Sequence, residues 1–239
     1  MAERRHDWEI IGARDPFFGV ITSPDFRLDQ VDAATRQRFY ASGVTDMEEV
    51  LRWFDADLGA RPTTGAALDI GCGVGRLTHA IADHVAHATG YDVSASMLRI
   101  AREAAPPNAS FVSELPPGPF DWINSYIVFQ HIPPAEGLAL LGAALSRAAP
   151  GAFASVQLTA WSDAPAPQSL LARLTRWRNR TIQRQDGHDI GALIRMHAYN
   201  FSDVAKVFVA HGFGRMVLRP TDHGGYHGAW VIARRAAPT

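Results

Sequence analysis

From residue 66 onwards, short runs of hydrophobic residues alternate with stretches in which apolar residues recur every three or four positions. A short apolar run indicates a buried strand, whereas the longer spacing indicates a helix with one buried face. The runs predict seven strands, near residues 66–70, 86–92, 109–112, 121–128, 153–159, 213–219 and 228–234. Helices are predicted around Leu77, Met97 and Leu141 and from Phe201 to His211. This alternation predicts a doubly wound, mostly parallel α/β sheet that binds ligands at the carboxyl ends of its strands.

Two segments depart from the alternation. Residues 1–62 predict helices, one of which begins at the capping-box sequence Thr45-Asp-Met-Glu48 and ends at Gly59. Residues 160–200 begin with a proline-containing linker and continue with a helical pattern, which predicts an insertion that covers a site. We therefore predict an N-terminal helical segment at 1–62 and a main domain at 63–239 that carries a helical lid at about 160–200.

Composition and charge narrow the classes of protein. The 239 residues are 47% hydrophobic and 20% charged, which excludes a disordered chain. The 23 Lys and Arg residues balance 24 Asp and Glu residues, so no overall field attracts nucleic acid or an anionic membrane. The single cysteine, Cys72, excludes an intrachain disulfide and a cysteine-based zinc site, and it favours a reducing, cytoplasmic setting. No signal peptide and no run of about 18 apolar residues occurs, so no membrane partner is expected.

An arginine stripe lies within the helical pattern over 168–185, where Arg173, Arg176, Arg180 and Arg184 follow one another at spacings of three and four. Three interpretations are open: a solvated helix face, a grip on an acidic small substrate, and contact with RNA phosphates. The near-zero net charge disfavours RNA.

The segment that carries chemistry joins the first strand to the first helix and runs Asp69-Ile-Gly-Cys-Gly-Val-Gly-Arg76. Glycines in such a turn let a ligand approach main-chain amides at the start of a helix. A dinucleotide fingerprint has glycine at its first, third and sixth positions, whereas these glycines occupy the first, third and fifth. Asp69 would repel a pyrophosphate and suits a ligand ammonium, and Asp92, which ends the second strand, suits the hydroxyls of a ribose. An amino acid beside a ribose describes S-adenosylmethionine.

This glycine segment resembles the first signature of the class I S-adenosylmethionine-dependent methyltransferases, and Asp92 matches their second. Phe111-Val-Ser-Glu-Leu-Pro116 resembles the third, in which Glu114, or alternatively Ser113, would hold the adenine amino group. Residues 120–133 resemble the fourth strand and its exit in small-molecule methyltransferases. The resemblance spans about residues 64–160 and implies a Rossmann-like sheet of seven strands, mostly parallel with an antiparallel last strand. The cofactor contacts that it implies are Asp69, Gly71, Cys72, Gly73, Gly75, Arg76, Asp92, Val93, Met97, Ser113, Glu114, Leu115, Ser125, Tyr126 and Gln130.

The implied reaction is an in-line transfer of a methyl group from sulfur to an oxygen, nitrogen or carbon of a small molecule. Positioning is the enzyme's main task, and a general base is needed only when the acceptor arrives protonated. His131 is the first candidate for a catalytic residue and His227 the second. A role for His131 as a backbone-bonded residue at the start of a helix is equally open. Substrate contacts are predicted for His223, Tyr226 and Trp161.

Other ligands and functions are weighed against this one. A zinc site at His223 and His227 is disfavoured because their four-residue spacing suits a helix and the surrounding glycines oppose one, so no metal is predicted. An RNA or protein methyltransferase is the nearest alternative, although Asn124-Ser-Tyr126 differs from the Asn/Asp-Pro-Pro-aromatic signature of base-nitrogen methylation. A nicotinamide-dependent oxidoreductase and a non-catalytic cofactor-binding subunit are the alternatives from other classes.

Overall fold

A computed structural model describes residues 2–163 and 194–237 of the chain. A seven-stranded sheet with the strand order β3-β2-β1-β4-β5-β7-β6 forms its centre. The strands are β1 (Ala66–Ile70), β2 (His87–Tyr91), β3 (Ala109–Val112), β4 (Phe120–Ser125), β5 (Ala148–Ser162), β6 (Arg215–Asp222) and β7 (Tyr226–Arg234). The first five strands pair in parallel, and β7 pairs antiparallel with both β5 and β6. The predicted doubly wound sheet with an antiparallel last strand is confirmed.

Helices cover both faces of the sheet. They are α1 (Ala2–Arg14), α2 (Pro16–Val20), α3 (Ala33–Trp53), α4 (Arg76–Ala82), α5 (Ala95–Glu103), α6 (Pro134–Leu145) and α7 (Phe201–Ala210). Short 3₁₀ turns lie at Pro24–Phe26, Leu28–Gln30 and Phe129–His131, and a π turn lies at Phe54–Leu58. Apolar side chains of α6 and α7 pack on one face, and those of α3 and α4 pack on the other. Because both faces are covered, residues on both sides of the central strands β1 and β4 are buried.

The predicted helix start at Thr45 is wrong. Helix α3 begins twelve residues earlier, at Ala33, where the Asp32 carboxylate accepts a hydrogen bond of 2.7 Å from the backbone N–H of Thr35. Thr45 lies inside the helix because a buried face that includes Phe39 continues on its N-terminal side. A true cap and a longer buried face therefore outweigh the local capping-box pattern.

Most other predicted boundaries agree with the structure. Gly59 ends the first helical region with a left-handed φ of 72°, as predicted. Strand β4 stops at Ser125 rather than near residue 128, because the chain turns at Ile127, whose φ is 57°. Strand β5 extends to Ser162, so the lid does not begin at 160. The helix predicted over 168–185, with its arginine stripe, lies outside the described residues.

The N-terminal segment packs onto the sheet domain. Ile11, Phe17 and Phe39 form a buried cluster with Val74 and Met97, which belong to the first two strand-helix connections. The division of the chain at residue 62 stays a prediction. Among the helices at 2–163 and 194–237, none combines the length and the apolar character needed to cross a bilayer.

Candidate active site

A cavity of about 530 Å³ opens at the carboxyl ends of β1, β2 and β4. Its volume lies within the range of about 300 to 1,000 Å³ that is typical of small-molecule sites. The structure brings to its walls most of the residues that the sequence singles out, namely Asp69, Gly71, Cys72, Gly73, Arg76, Asp92, Val93, Met97, Tyr126, Gln130, His131, His223 and Tyr226. The cavity is therefore the candidate site for the predicted cofactor and for its acceptor.

The glycine turn and Asp92 form one hydrogen-bonded unit. Gly71 and Gly73 have left-handed φ angles of 73° and 53°, which side chains rarely adopt. One oxygen of the Asp92 carboxylate accepts a hydrogen bond of 2.9 Å from the N–H of Gly73, and the other accepts one of 2.9 Å from the N–H of Ser94. Burial raises the pKa of Asp92. Asp92 therefore joins the turn after β1 to the turn after β2 and still has lone pairs for a ligand.

Asp69 is held below the floor of the cavity. Its side chain is 2% exposed, and its two oxygens accept hydrogen bonds of 2.6 Å from the Thr78 hydroxyl and 2.9 Å from the Asn124 amide. Burial raises the pKa of Asp69 to about 6. Each oxygen keeps a free lone pair, so a ligand ammonium would add to these bonds rather than replace them.

Tyr126 is the centre of a polar and aromatic cluster on one wall. Its ring stacks on Trp230 at a centroid distance of 4.7 Å and meets the edge of His223 at 5.7 Å. The Arg76 guanidinium lies 6.0 Å from the same ring, and its Nη1 donates to Asp46 at 2.6 Å. Burial raises the pKa of Tyr126 to about 12, so its hydroxyl stays protonated and can donate.

His131 lies on a neighbouring wall of the cavity, and each of its ring nitrogens has a hydrogen-bond partner. Its Nδ1 lies 3.0 Å from the carbonyl oxygen of Arg195, which can only accept, so Nδ1 carries the proton. Its Nε2 lies 3.3 Å from the amide nitrogen of Gln130, whose oxygen accepts a 2.9 Å bond from the Thr159 hydroxyl. Burial lowers the pKa of His131 to about 4. The ring is therefore neutral and anchored to the backbone at Arg195.

Seven residues that the sequence singles out do not line the cavity, namely Gly75, Ser113, Glu114, Leu115, Ser125, Trp161 and His227. The Ser125 hydroxyl is buried and donates to the carbonyl oxygen of Ile70 at 3.1 Å. Ser113 and Glu114 are exposed beyond the end of β3. Trp161 is 58% exposed and stacks on His227, which in turn contacts Asp163 at 2.6 Å. The roles assigned to these residues stay predictions.

Residues from two distant parts of the chain complete the walls, and the sequence does not signal them. Trp8, Val20 and Thr22 come from the N-terminal segment, and Ile194 and Met196 come from the described segment that begins at residue 194. Except for Thr22, their apolar or aromatic character is visible in the sequence, but nothing local indicates which surface they cover.

A carboxylate holds the N-terminal helix over the cavity. Glu9 accepts hydrogen bonds from the Ser94 hydroxyl at 2.8 Å and from the Ser96 hydroxyl at 2.5 Å. Ser94 also caps α5, since its hydroxyl accepts a bond of 3.2 Å from the N–H of Met97. The contact places a negative charge at the positive end of α5, which stabilises both the helix and the docking of α1.

Comparison with known proteins agrees with this architecture. Residues 67–151 match a family model described as a methyltransferase domain. The chain is 35% identical over 138 residues to trans-aconitate 2-methyltransferase of Streptomyces coelicolor; the match covers 52% of this chain and 44% of the relative, so it spans less than half the length of that curated relative.

Two solved structures have the same fold. Magnesium protoporphyrin IX methyltransferase from Synechocystis PCC 6803, crystallised with bound S-adenosylmethionine, is 19% identical with a TM-score of 0.57, over 95% of this chain and 97% of that one. Streptomyces venezuelae DesVI is 17% identical with a TM-score of 0.55, over 86% of this chain and 99% of that one.

Proposed function

We propose that this chain is a class I S-adenosylmethionine-dependent methyltransferase and that it transfers a methyl group from S-adenosylmethionine to a small molecule; the match of residues 67–151 to a methyltransferase-domain model supports the proposal. The observation that carries the proposal is the unit formed by the glycine turn and Asp92 at the mouth of β1 and β2. There the ribose hydroxyls would donate to the free lone pairs of Asp92. The ammonium of the cofactor would approach Asp69, and its sulfonium would lie toward Tyr126 and Gln130.

The roles of the other predicted residues follow from this placement. Gln130 and His131 border the transferred methyl group in the proposed arrangement. Arg76 and Tyr126 lie at the boundary between the methionine part of the cofactor and the acceptor. His223 and Tyr226 face the acceptor. Collinear placement of the acceptor atom, methyl carbon and sulfur supplies most of the acceleration, about 7 to 11 kcal/mol for well-oriented groups.

A small-molecule acceptor is supported by the way the cavity is covered. Trp8 of α1 packs edge-on against His131 at 5.2 Å, and Met196 closes the side that follows the insertion. The similarity to trans-aconitate 2-methyltransferase favours a small acceptor as well. We propose that RNA and protein are not the acceptors.

Calorimetric titration tests the cofactor, and a transfer assay tests the activity. We expect S-adenosylhomocysteine to bind and NAD to produce no heat, because Asp69 disfavours a pyrophosphate at the turn. We further expect radiolabel from the methyl group of S-adenosylmethionine to enter metabolites. Binding of NAD alone would overturn the proposal, and cofactor binding without transfer to any acceptor would point to a non-catalytic subunit.

Cofactor binding is expected to strengthen as the pH rises through about 6. Burial raises the pKa of Asp69 to about 6, so below that pH the free protein carries a neutral carboxylic acid there. The bound ammonium favours the ionised form and lowers this pKa in the complex, so binding releases a proton. The dissociation constant of S-adenosylhomocysteine therefore rises toward roughly tenfold for each pH unit below about 6.

Calorimetry on both sides of about pH 6 measures this dependence, and Asp69→Asn is the matched control. The variant retains an oxygen that can accept but has no proton to release, so its residual affinity should not change over this pH range. An affinity of the natural protein that is constant across the same range would contradict an ammonium contact with Asp69.

A further inference from the structure

The wall that faces the acceptor carries two buried polar atoms without hydrogen-bond partners. They are Nε of Arg76 and Nε2 of His223, and both residues line the cavity on either side of the Tyr126 ring. The Arg76 side chain is only 7% exposed. A buried N–H without a partner costs about 1 to 3 kcal/mol, and a ligand oxygen that accepts its hydrogen bond would recover that cost. The Arg76 Nε–H is thus an unfilled donor beside Tyr126, and Nε2 of His223 is a second donor in the tautomer that carries its proton on that nitrogen.

Among the described residues that line the acceptor side of the cavity, neither histidine nor Tyr126 is poised to remove a proton from a weakly acidic acceptor. The neutral His131 has its Nδ1–H on the carbonyl of Arg195 and its Nε2 facing the Gln130 amide. A base with a pKa of about 4 is poorly matched to a phenol or alcohol, since efficient bases have a pKa near the working pH. Burial also lowers the pKa of His223, and it keeps Tyr126 protonated.

The charges around this wall do not form a strong positive field. Asp46 and Glu49 of α3 and Asp222 of β6 face the Tyr126–His223 pair together with Arg76. Arg76 is the one arginine or lysine among the described residues that line the cavity, and Asp46 already pairs with its Nη1. Recognition of an anion here would rest on directed N–H and O–H donors and on the adjacent sulfonium of the cofactor, rather than on net protein charge.

Arg76 and His223 carry nitrogens without hydrogen-bond partners, and both ring nitrogens of His131 already have partners. On the basis of the proposed function, we infer that the acceptor is a carboxylic acid whose carboxylate oxygen is methylated. The carboxylate lies against Arg76 Nε, His223 Nε2 and the Tyr126 hydroxyl. One of its oxygens forms a bond to the methyl carbon while the bond from that carbon to sulfur breaks. The electron pair of the broken bond stays on sulfur, so sulfonium and carboxylate give a neutral thioether and a neutral methyl ester. No proton is released and no base takes part.

The chemistry of the labelled product tests the inference. The protein is incubated with S-adenosylmethionine tritiated in its methyl group and either a protein-free metabolite extract or one of four probes: trans-aconitate, benzoate, phenol and benzylamine. Mild base hydrolyses a methyl ester to volatile methanol, whereas ethers and N-methyl groups survive. We expect label only with the extract and the carboxylates, most of it volatile after base. Label that enters products but resists base overturns the carboxylate, whereas no transfer at all counts against the proposed function itself.

A pair of variants tests the subsite. His223→Phe keeps an aromatic ring beside Tyr126 and removes the unpartnered Nε2, and His87→Phe makes the same change at the exposed edge of β2. We expect the first variant to raise KM for the carboxylate acceptor by roughly 10- to 100-fold, the usual range for a lost hydrogen bond to a charged group. Its affinity for S-adenosylhomocysteine should match that of the His87→Phe control, which also shows that the variant is folded.

Tyr126→Phe provides a second measurement, since it removes a hydroxyl and keeps the ring on Trp230. We expect the same rise in KM with a smaller change in the Kd of S-adenosylhomocysteine, because the ring that borders the cofactor is kept on Trp230. Unchanged KM in both variants, or a loss confined to cofactor affinity, would overturn the assignment of this wall to the acceptor.

Discussion

Replacing Asp92 by alanine is expected to weaken binding of S-adenosylhomocysteine by about 1 to 3 kcal/mol, or roughly 5- to 150-fold in Kd. Two effects combine. The ribose hydroxyls lose the carboxylate that accepts their hydrogen bonds. The N–H groups of Gly73 and Ser94, which donate to Asp92 at 2.9 Å, also lose their partner. The second effect loosens the glycine turn even before the cofactor arrives, so a large part of the loss reflects poorer preorganisation.

Calorimetry measures this effect, with Asp203→Ala as the matched control. Asp203 is exposed on α7, where it pairs with Lys206 at 2.9 Å, so its removal should leave cofactor affinity unchanged. A thermal unfolding curve for each variant separates lost affinity from lost structure. A Kd of Asp92→Ala within about twofold of the natural protein would refute a role in ribose binding.

Gly71→Ala is expected to damage both stability and cofactor binding, whereas Gly59→Ala is expected to damage stability alone. The two glycines have nearly the same left-handed φ, 73° and 72°, so the backbone strain of about 1 to 2 kcal/mol is common to both. A Cβ at Gly71 would lie 2.4 Å from a methyl carbon of Val128, whereas at Gly59 it would meet nothing within 4 Å. The clash adds about 1 to 3 kcal/mol and displaces the turn that holds the cofactor.

Thermal unfolding and calorimetry of the two variants isolate the contribution of the close approach. The free energy of unfolding should fall about 1 to 3 kcal/mol further in Gly71→Ala than in Gly59→Ala, and only Gly71→Ala should raise the Kd of S-adenosylhomocysteine. Val128→Ala in the Gly71→Ala background should recover part of the difference, because the contacted methyl groups are gone. Equal behaviour of the two glycine variants would argue against a packed turn at Gly71.

Local sequence was enough to predict the framework of the site. The apolar runs predicted all seven strands, and the glycines between Ile70 and Arg76 predicted the tight turn that Gly71 and Gly73 form. Asp92 follows β2 directly, and the carboxyl ends of neighbouring parallel strands meet at one edge, so its position beside the turn follows from chain order. These predictions depend on interactions between residues close in sequence or on a sheet topology with few alternatives.

The predictions that failed were those in which a longer-range contact outweighed a local signal. Thr45 has a capping-box neighbourhood, yet Asp32 caps the helix because the buried face of α3 extends back to it. The apolar pattern suggested that β4 continues to about residue 128, but the chain turns at Ile127 to place Gln130 and His131 on the cavity wall. Propensity gives way in both places to burial and to the geometry of the site.

The chemical state of the cavity walls around Tyr126 and His131 depends on contacts between distant parts of the chain. Arg195 fixes the proton of His131 from 64 positions away, and His223 of the last hairpin meets Tyr126, which follows β4. Residue order therefore specified the fold class, the glycine turn and the position of Asp92 beside that turn, because these follow from periodicity and adjacent strands. Whether a histidine is free to act as a base, and which donors are left for an acceptor, depends on burial and on hydrogen bonds that exist only after the chain has packed.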